Sequence, residues 1–583
     1  MPQTPLSTDR YRYGSELPFG AHPTIDKTGT NRTHYRFWAP SCAAVQVEIQ
    51  AVGDAPPAIV DMIPAGDGWF AAEADGGAGT RYLYRVDEKL AVPDPASRFQ
   101  PEDVHRASEV VDPHSYSRIN GGWRGRPWEE AVLYEMHVCA MGGYAGVASR
   151  LPELAELGVT AIEPMPLNDF SGTRNWGYDG VLPYAPDSSY GRPDDLKRLI
   201  DSAHGLGLMV FLDVVYNHFG PDGNYLSGFA KTFFREGVET PWGPAIDFER
   251  PQVRDFFFQN ALFWLHEYRF DGLRLDAVHA IDDDGWLREF ASFVRSSVEP
   301  GRHVHLVLEN EHNTSSLLET HFNAQWSDDS HNTLHVLLTG EAESYYSAYA
   351  TAAIDKLARV LTEGFVYQGE PSPIHDGKLR GEPSAHLPPT AFVMFFDYHG
   401  ELADAVRGGR RREFVKFSAF TDDSRRAQIP DPNDADTFRM SSPSLTQPKE
   451  HGEGLEWLHF YRSALAVRAG LIVPRLRGAK TLGATVLDAK AITAGWRLGD
   501  GETLSIALNL GERAIALPDL PPGEIIFETP VRACDRIRRG ELGAHTFGAW
   551  LTGGVGRYAI ARDSRDFERT STGGTRGESD SRQ

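Results

Sequence analysis

The stretch PDDLKRLIDSAHGLGLMVFLDVVYNH (193–218) decides the fold. Its first half has helical patterning. Its second half, LMVFLDVVYNH, is an apolar strand-like run that ends in polar residues. The same rhythm extends outward on both sides. Strand-like runs recur at VLYEMHV (132–138), AIEPMPL (161–167), GLRLDAVHAI (272–281), VHLVLENE (304–311), FNAQW (322–326) and AFVMFFDY (391–398). Helical segments such as SRLPELAELG (149–158), VRDFFFQNALFWLHEY (253–268) and DGWLREFASFVRSSV (284–298) lie between them. Alternation of this kind, with Val/Ile/Leu-rich strands, predicts a parallel sheet. Repeated this often, it predicts a (β/α)8-type TIM barrel. Seven strand runs are present where a closed barrel has eight.

Shorter segments flank this region. YRFWAP (35–40), VQVEIQ (45–50), GWFAAEA (68–74) and RYLYRV (81–86), cut by turn residues, predict an N-terminal β-sandwich over residues 1–112. PDPASRFQPEDVH (93–105) and WRGRPWEE (123–130) read as a surface linker. The barrel is assigned to 113–454. AITAGWRLG, TLSIALNL and GRYAIARD then predict a C-terminal β-sandwich over 455–562. Residues 563–583, polar and Gly/Ser-rich, read as a disordered tail. The whole is a multidomain α/β chain, consistent with a length of 583 residues and a prior of roughly three to four domains.

Composition narrows the partners. A net charge of −23 argues against nucleic acid, because counterion release needs a basic footprint. It equally disfavours an anionic membrane surface. Three scattered cysteines form neither a metal spacing nor a disulfide framework. No secretory signal and no apolar run of roughly 18 residues is visible, so a cytoplasmic location is expected.

Barrel enzymes place their chemistry at the C-terminal ends of the strands. Four polar clusters stand there: NWGYDG (175–180), DVVYNH (213–218), GLRLDAVH (272–279) and LVLENEHN (306–313). Arg274 and Asp276 share one face of a strand by period-two alternation. The guanidinium would keep Asp276 ionised, as a carboxylate nucleophile requires. A buried ion pair that merely stabilises the barrel mouth explains the same two residues equally well. Glu309 ends an apolar run, and the partial desolvation expected there suits a general acid. Glu311 points to the same face, but Glu309 is preferred by its position at the strand's end. Two carboxyls in unlike surroundings fit a retaining glycosidase. Trp176, Tyr178, Trp242 and Trp326 offer flat rings for sugar faces, although each alone is more often packing. His218 and His279 offer hydrogen bonds to sugar hydroxyls. Asp213, Asn217 and His218 do not match a calcium loop or zinc spacing, so neither a metal nor another cofactor is expected.

These blocks resemble the α-amylase family of glycoside hydrolases. DVVYNH is similar to its first conserved block, GLRLDAVH to its second and LVLENEHN to its third. The resemblance implies that Asp276 is the nucleophile and Glu309 the proton donor. It places Arg274, His218 and Tyr178 around the attacked sugar. Within the family the likeness is strongest to the members that release trehalose from maltooligosyltrehalose. It is carried by WAP, VPDPASRFQP, RNWGYDGVLPYAP, GFVYQGEPSP and RGEPSAHLPPTAFV among others. Their block WxDDxHH stands here as WSDDSHN (326–332), so Asp328, Asp329 and His331 carry over as substrate contacts. Asn332 replaces the second histidine. An α-glucan substrate and a pathway partner enzyme that forms the trehalosyl end are implied.

The fourth family block, an Asn-His-Asp segment that supplies a third carboxylate, has no counterpart after AFV393. His375–Asp376 lies before the expected strand and is no substitute. Asp397 matches a segment that is downstream in the family. The resemblance therefore implies reduced activity or an unusually closed barrel. A glucan-binding homologue without turnover and a glycogen branching or debranching enzyme are the competing readings.

Overall fold

A computed structural model describes residues 17–51, 55–240, 242–395 and 453–553. The chain divides into two compact units, Met1–Glu450 and His451–Gln583.

The first unit opens with two antiparallel sheets. One runs in the order Gly20–Ile25, Asn31–Trp38, Trp69–Asp75, Ile63–Gly66. The other runs Ala58–Asp61, Val45–Ile49, Arg81–Val86, Leu90–Val92, with Ser108–Glu109 paired to Arg81–Val86. Arg81–Val86 alternates half-buried and buried positions along its length, as a strand with one face on a core should. Residues 93–105 are not a surface linker. Asp94, Ser97, Arg98 and Gln100 are buried. Asp94 accepts from the Tyr82 hydroxyl at 2.8 Å and the Ala96 amide at 2.8 Å. The turn-rich composition is real, but the polar groups satisfy one another inside the domain, which removes the cost of burying them.

A seven-stranded parallel sheet follows, its strands adjacent in chain order. We label them β1 (Leu133–Met136), β2 (Ala161–Pro164), β3 (Met209–Val214), β4 (Gly272–Leu275), β5 (His305–Leu308), β6 (Ala324–Trp326) and β7 (Phe392–Val393). Each of the seven strand-like runs read from the sequence holds one of them. Side chains segregate by period two. Ala161, Met209, Phe211, Val307 and Trp326 pack together on one face. The alternating Ile162, Val210, Leu212, Leu273, Leu275, Leu306 and Leu308 pack in the large core that includes the surrounding helices. Gly272 is required where β4 starts. A Cβ there would lie 2.3 Å from the Phe211 ring and 2.9 Å from the His305 carbonyl oxygen. Among the described residues the sheet has seven strands, with β1 and β7 at its two ends. Asp397 lies outside the described residues. His375 ends a single turn, Pro373–His375, apart from the sheet.

The second unit begins with the helix Glu453–Val467 and continues as a five-stranded antiparallel sheet. Its order is Lys480–Asp488, Ala491–Arg497, Thr503–Asn509, Thr546–Leu551, Glu524–Thr529. Ile515–Ala516 and Glu541–Leu542 form a separate two-stranded sheet. GRYAIARD and the tail lie outside the described residues. No helix of the described residues is long and apolar enough to cross a membrane.

Candidate active site

The C-terminal ends of β3, β4 and β5 converge on Arg274. Its side chain has no exposed surface. Nη1 donates to both oxygens of Asp213, each at 2.9 Å, and to Asp276 Oδ1 at 2.8 Å. Nη2 forms an ion pair with Glu309 Oε2 at 2.8 Å. Register explains the meeting: Asp213 lies directly beside Arg274 in the β3–β4 ladder. A buried guanidinium is costly alone, and three carboxylates around it offset that cost. The guanidinium carbon sits 4.6 Å from the centre of the Trp326 ring.

Asp276 follows β4. Burial pushes its carboxyl up, but Arg274, His218 and hydrogen bonds from Asn217 and Glu309 together hold it below the ordinary aspartate value. Asn217 Nδ2 donates to Asp276 Oδ2 at 3.0 Å and to its carbonyl oxygen at 3.1 Å. Asp276 is thereby both ionised and fixed in direction. The next residue, Ala277, adopts a left-handed conformation (φ 40°, ψ 50°). For a residue with a Cβ this stores strain, typically about 1–3 kcal/mol. Its amide donates to Glu309 Oε2 at 2.9 Å.

The Glu309 side chain keeps 21% exposure against 11% for Asp276, so the acid candidate is the more reachable from solvent. The expected apolar surroundings of Glu309 are not found, because it meets Arg274 and the Ala277 amide. Glu311 is elsewhere, with Oε1 3.1 Å from His375 Nε2 and Oε2 3.7 Å from His279 Nε2.

On the β3 side, the Tyr178 hydroxyl donates to Asp213 Oδ2 at 2.6 Å. Burial and the Asp213 charge raise the Tyr178 pKa well above its usual value, so the phenol stays neutral. Gly177 (φ +97°) makes the turn before it, where a Cβ would lie 2.0 Å from the Pro166 carbonyl oxygen. His218 Nε2 donates to the Tyr178 carbonyl oxygen at 2.9 Å, and its ring stacks on Trp242 at 5.4 Å. Trp176 is half-buried beside them in the chain.

The WSDDSHN block divides its roles. Trp326 is 5% exposed and packs inside the sheet beneath Arg274, a position that leaves little ring face for a sugar. Asp328 and Asp329 open the helix Asp328–Thr339. Burial first, then the Glu309 charge, pushes Asp328 up to about 8. Asp329, 1% exposed, spends both oxygens on the protein. It accepts from Tyr349 at 2.6 Å, Asn313 at 2.9 Å and the Val366 amide at 2.6 Å, with Arg380 at 3.2 Å. It positions loops and does not face the opening. His331 is buried and stacks on Phe395 at 5.0 Å.

Asp213 and Asn217, weighed from the sequence only as metal ligands, instead hold Arg274 and Asp276. The alternation that pairs Arg274 with Asp276 also turns Asp213 inward. Arg380 gave no local signal. Deeper in the sheet, Glu163 is fully buried and neither of its oxygens has a hydrogen-bond partner. Burial, then Glu135 and Asp213, hold its carboxyl well above the ordinary value, so it is neutral.

Two family models match the chain. The α-amylase catalytic domain covers residues 108–236, and a domain of unknown function, DUF3459, covers 479–548. The malto-oligosyltrehalose trehalohydrolase of Deinococcus radiodurans is 34% identical over 92% of this chain and 98% of its own. That of Saccharolobus solfataricus is 36% identical over 67% of this chain and 68% of its own. Among solved structures, a putative alpha amylase from Salmonella typhimurium has 36% identity and a TM-score of 0.81, covering 92% of this chain and all of that one. A pullulanase from Anoxybacillus, with 17% identity and a TM-score of 0.65 over 93% of this chain and 88% of that one, shares the fold. The chain belongs to the malto-oligosyltrehalose trehalohydrolase family, glycosidases built on the α-amylase barrel.

Proposed function

We propose that this protein hydrolyses the α-1,4 bond next to the terminal trehalose of maltooligosyltrehalose, releasing trehalose in the cytoplasm. A partner enzyme that builds the trehalosyl end precedes it in trehalose biosynthesis. The observation that carries the mechanism is the contact of both candidate carboxyls with the one guanidinium of Arg274, each at 2.8 Å. Carboxyls this close leave no room for the water that an inverting enzyme places between them, so the reading is retention by double displacement.

In this reading Asp276, ionised and aimed by Arg274 and Asn217, attacks the anomeric carbon. Glu309 protonates the leaving oxygen, then takes a proton from water as the glycosyl–aspartate ester is hydrolysed. Tyr178, His218 and Trp176 line the attacked sugar, with His279 and Asp328 further along the rim. Asp329 and His331 act by holding that rim. The same reading keeps the division into sandwich, barrel, C-terminal β domain and tail at residues 112, 454 and 562. A second reading, a glucan-binding homologue with little turnover, is favoured by one observation. Of the two described residues that follow β7, Met394 and Phe395, neither is a carboxylate.

Asp276→Asn tests the nucleophile. Loss of turnover by a factor of at least about 10³, with folding unchanged by circular dichroism, is the expected result. Turnover within tenfold of wild type would refute the assignment.

A further inference from the structure

The inner face of the sheet carries acids beneath the cage of Arg274, Asp213, Asp276 and Glu309 as well as within it. The alternation that turns Asp213 inward with Met209 and Phe211 also turns Glu163 inward with Ala161. Ala161 pairs with Met209, so Asp213 lies one inward position nearer the strand ends than Glu163. On the other side, Glu135 stands directly beside Glu163 in the β1–β2 ladder. Glu163 has no exposed surface, and neither of its oxygens has a hydrogen-bond partner. An apolar side chain of the same size would avoid the cost of an unpaired buried polar group. Stability alone therefore gives no reason for an acid at this position.

Its surroundings fix its charge. Burial, Glu135 and Asp213 all oppose ionisation of Glu163. Arg274 favours it, but that guanidinium already faces Asp213, Asp276 and Glu309. An uncharged carboxyl carries one O–H donor. Of the two carboxyls beside it, Glu135 is half-buried and can be solvated, whereas the Asp213 side chain has no exposed surface. Asp213 is thus the acceptor that only the protein can satisfy.

The reaction supplies the occasion. In its first step Glu309 gives its proton to the leaving oxygen and becomes charged, while the Asp276 charge is consumed in the ester bond. Arg274 meets Glu309 through Nη2 and Asp276 through Nη1, so this step draws the guanidinium towards Glu309. Nη1 is also the atom that holds both oxygens of Asp213. Asp213 keeps its charge throughout and needs a further donor when that grip loosens. We propose that Glu163 is a positioning residue for the reaction, donating a hydrogen bond to Asp213 from beneath the cage so that Arg274 can follow the charge between Asp276 and Glu309. The inference rests on the double-displacement reading above, and the experiment separates the two.

Glu163→Gln and Glu163→Met are both uncharged and close in size to the native side chain, but only Gln can donate. The full chain and the two variants are compared by kcat and KM on maltooligosyltrehalose and by melting temperature. Gln should keep at least about a third of the wild-type kcat, and Met should lose at least about tenfold, as loss of a hydrogen bond to a charged group implies. KM should stay within about threefold in both, because Glu163 acts through Asp213 and Arg274 and not on the sugar. Met should also melt at or above wild type, since it removes an unpaired buried polar group. A Met variant with kcat within about threefold of wild type, or a Gln variant slowed by about tenfold, would overturn the proposal. A slow Met variant that melts below wild type would mark packing instead and overturn it equally. Should Glu163→Met not fold, infrared spectroscopy decides. The difference spectrum of wild type minus Glu163→Gln should contain the carbonyl band of a protonated carboxyl at neutral pH, and its absence would overturn the proposal. That band needs no turnover. A wild type that shows it but releases no trehalose keeps the Glu163 donor and loses the function. Normal trehalose release without the band has the opposite meaning.

Discussion

Asp328 and Asp276 are carboxylates on one rim with opposite titration behaviour. Asp276 touches the Arg274 guanidinium and lies below the ordinary value, whereas Asp328, half-buried and within the field of the Glu309 charge, is pushed up to about 8. The folded protein therefore holds a proton on Asp328 that the unfolded chain has released above about pH 4. The stability this group contributes is complete below that pH and is lost as pH rises towards 8. Asp328→Asn removes the dependence. Its melting temperature relative to wild type should climb between pH 5 and pH 8 and level off above that range. A gap that stays constant across the range would contradict the assigned direction. At this scale the meeting of Arg274 and Asp276 was legible, because strand alternation is a local rule. Asp329, expected as a substrate contact, directs its oxygens to the protein. Its partners Tyr349, Val366 and Arg380 are 20, 37 and 51 residues away, beyond the reach of any local pattern.

The strands were legible because buried parallel strands must be apolar throughout, which makes them conspicuous. The Pro- and Asp-rich segment 93–105 shows the reverse. Its composition marks a loop, and composition cannot reveal that Tyr82 and Ser108 supply partners which let Asp94 be buried. Packing inside the sheet is tight enough to test with one methyl group. Gly272→Ala would drive a Cβ into the Phe211 ring and the His305 carbonyl oxygen. Overpacking of this kind costs about 1–3 kcal/mol. Urea denaturation should show a loss in that range with an unchanged m-value. Gly122→Ala, where no atom lies within 4 Å of the added Cβ and φ is not positive, as at Gly272, is the control that carries the same substitution without the clash. Equal stability of Gly272→Ala and wild type would show that β3, β4 and β5 are packed less closely than described.

For the molecule as a whole, a net charge of −23 and a neutral sugar substrate have a joint consequence. Long-range steering acts on charged ligands and is screened by salt, with a Debye length of about 10 Å at 0.1 M. A neutral glucan feels none of it, so kcat/KM should change by less than about twofold between 50 and 500 mM sodium chloride. A steep salt dependence, measured on any substrate the protein accepts, would point to a charged ligand. The seven strands counted in the sequence are the seven strands of the described sheet, and the barrel fold was legible from their rhythm. Substrate class followed from the resemblance of the blocks and not from rhythm, because loops carry no period. The most direct test is incubation of the full chain with maltooligosyltrehalose, followed by chromatographic analysis of the products. The account predicts free trehalose and a maltooligosaccharide shortened by that unit, with no action on α-1,6 branch points of glycogen. Absence of trehalose, or cleavage at branch points instead, would contradict it.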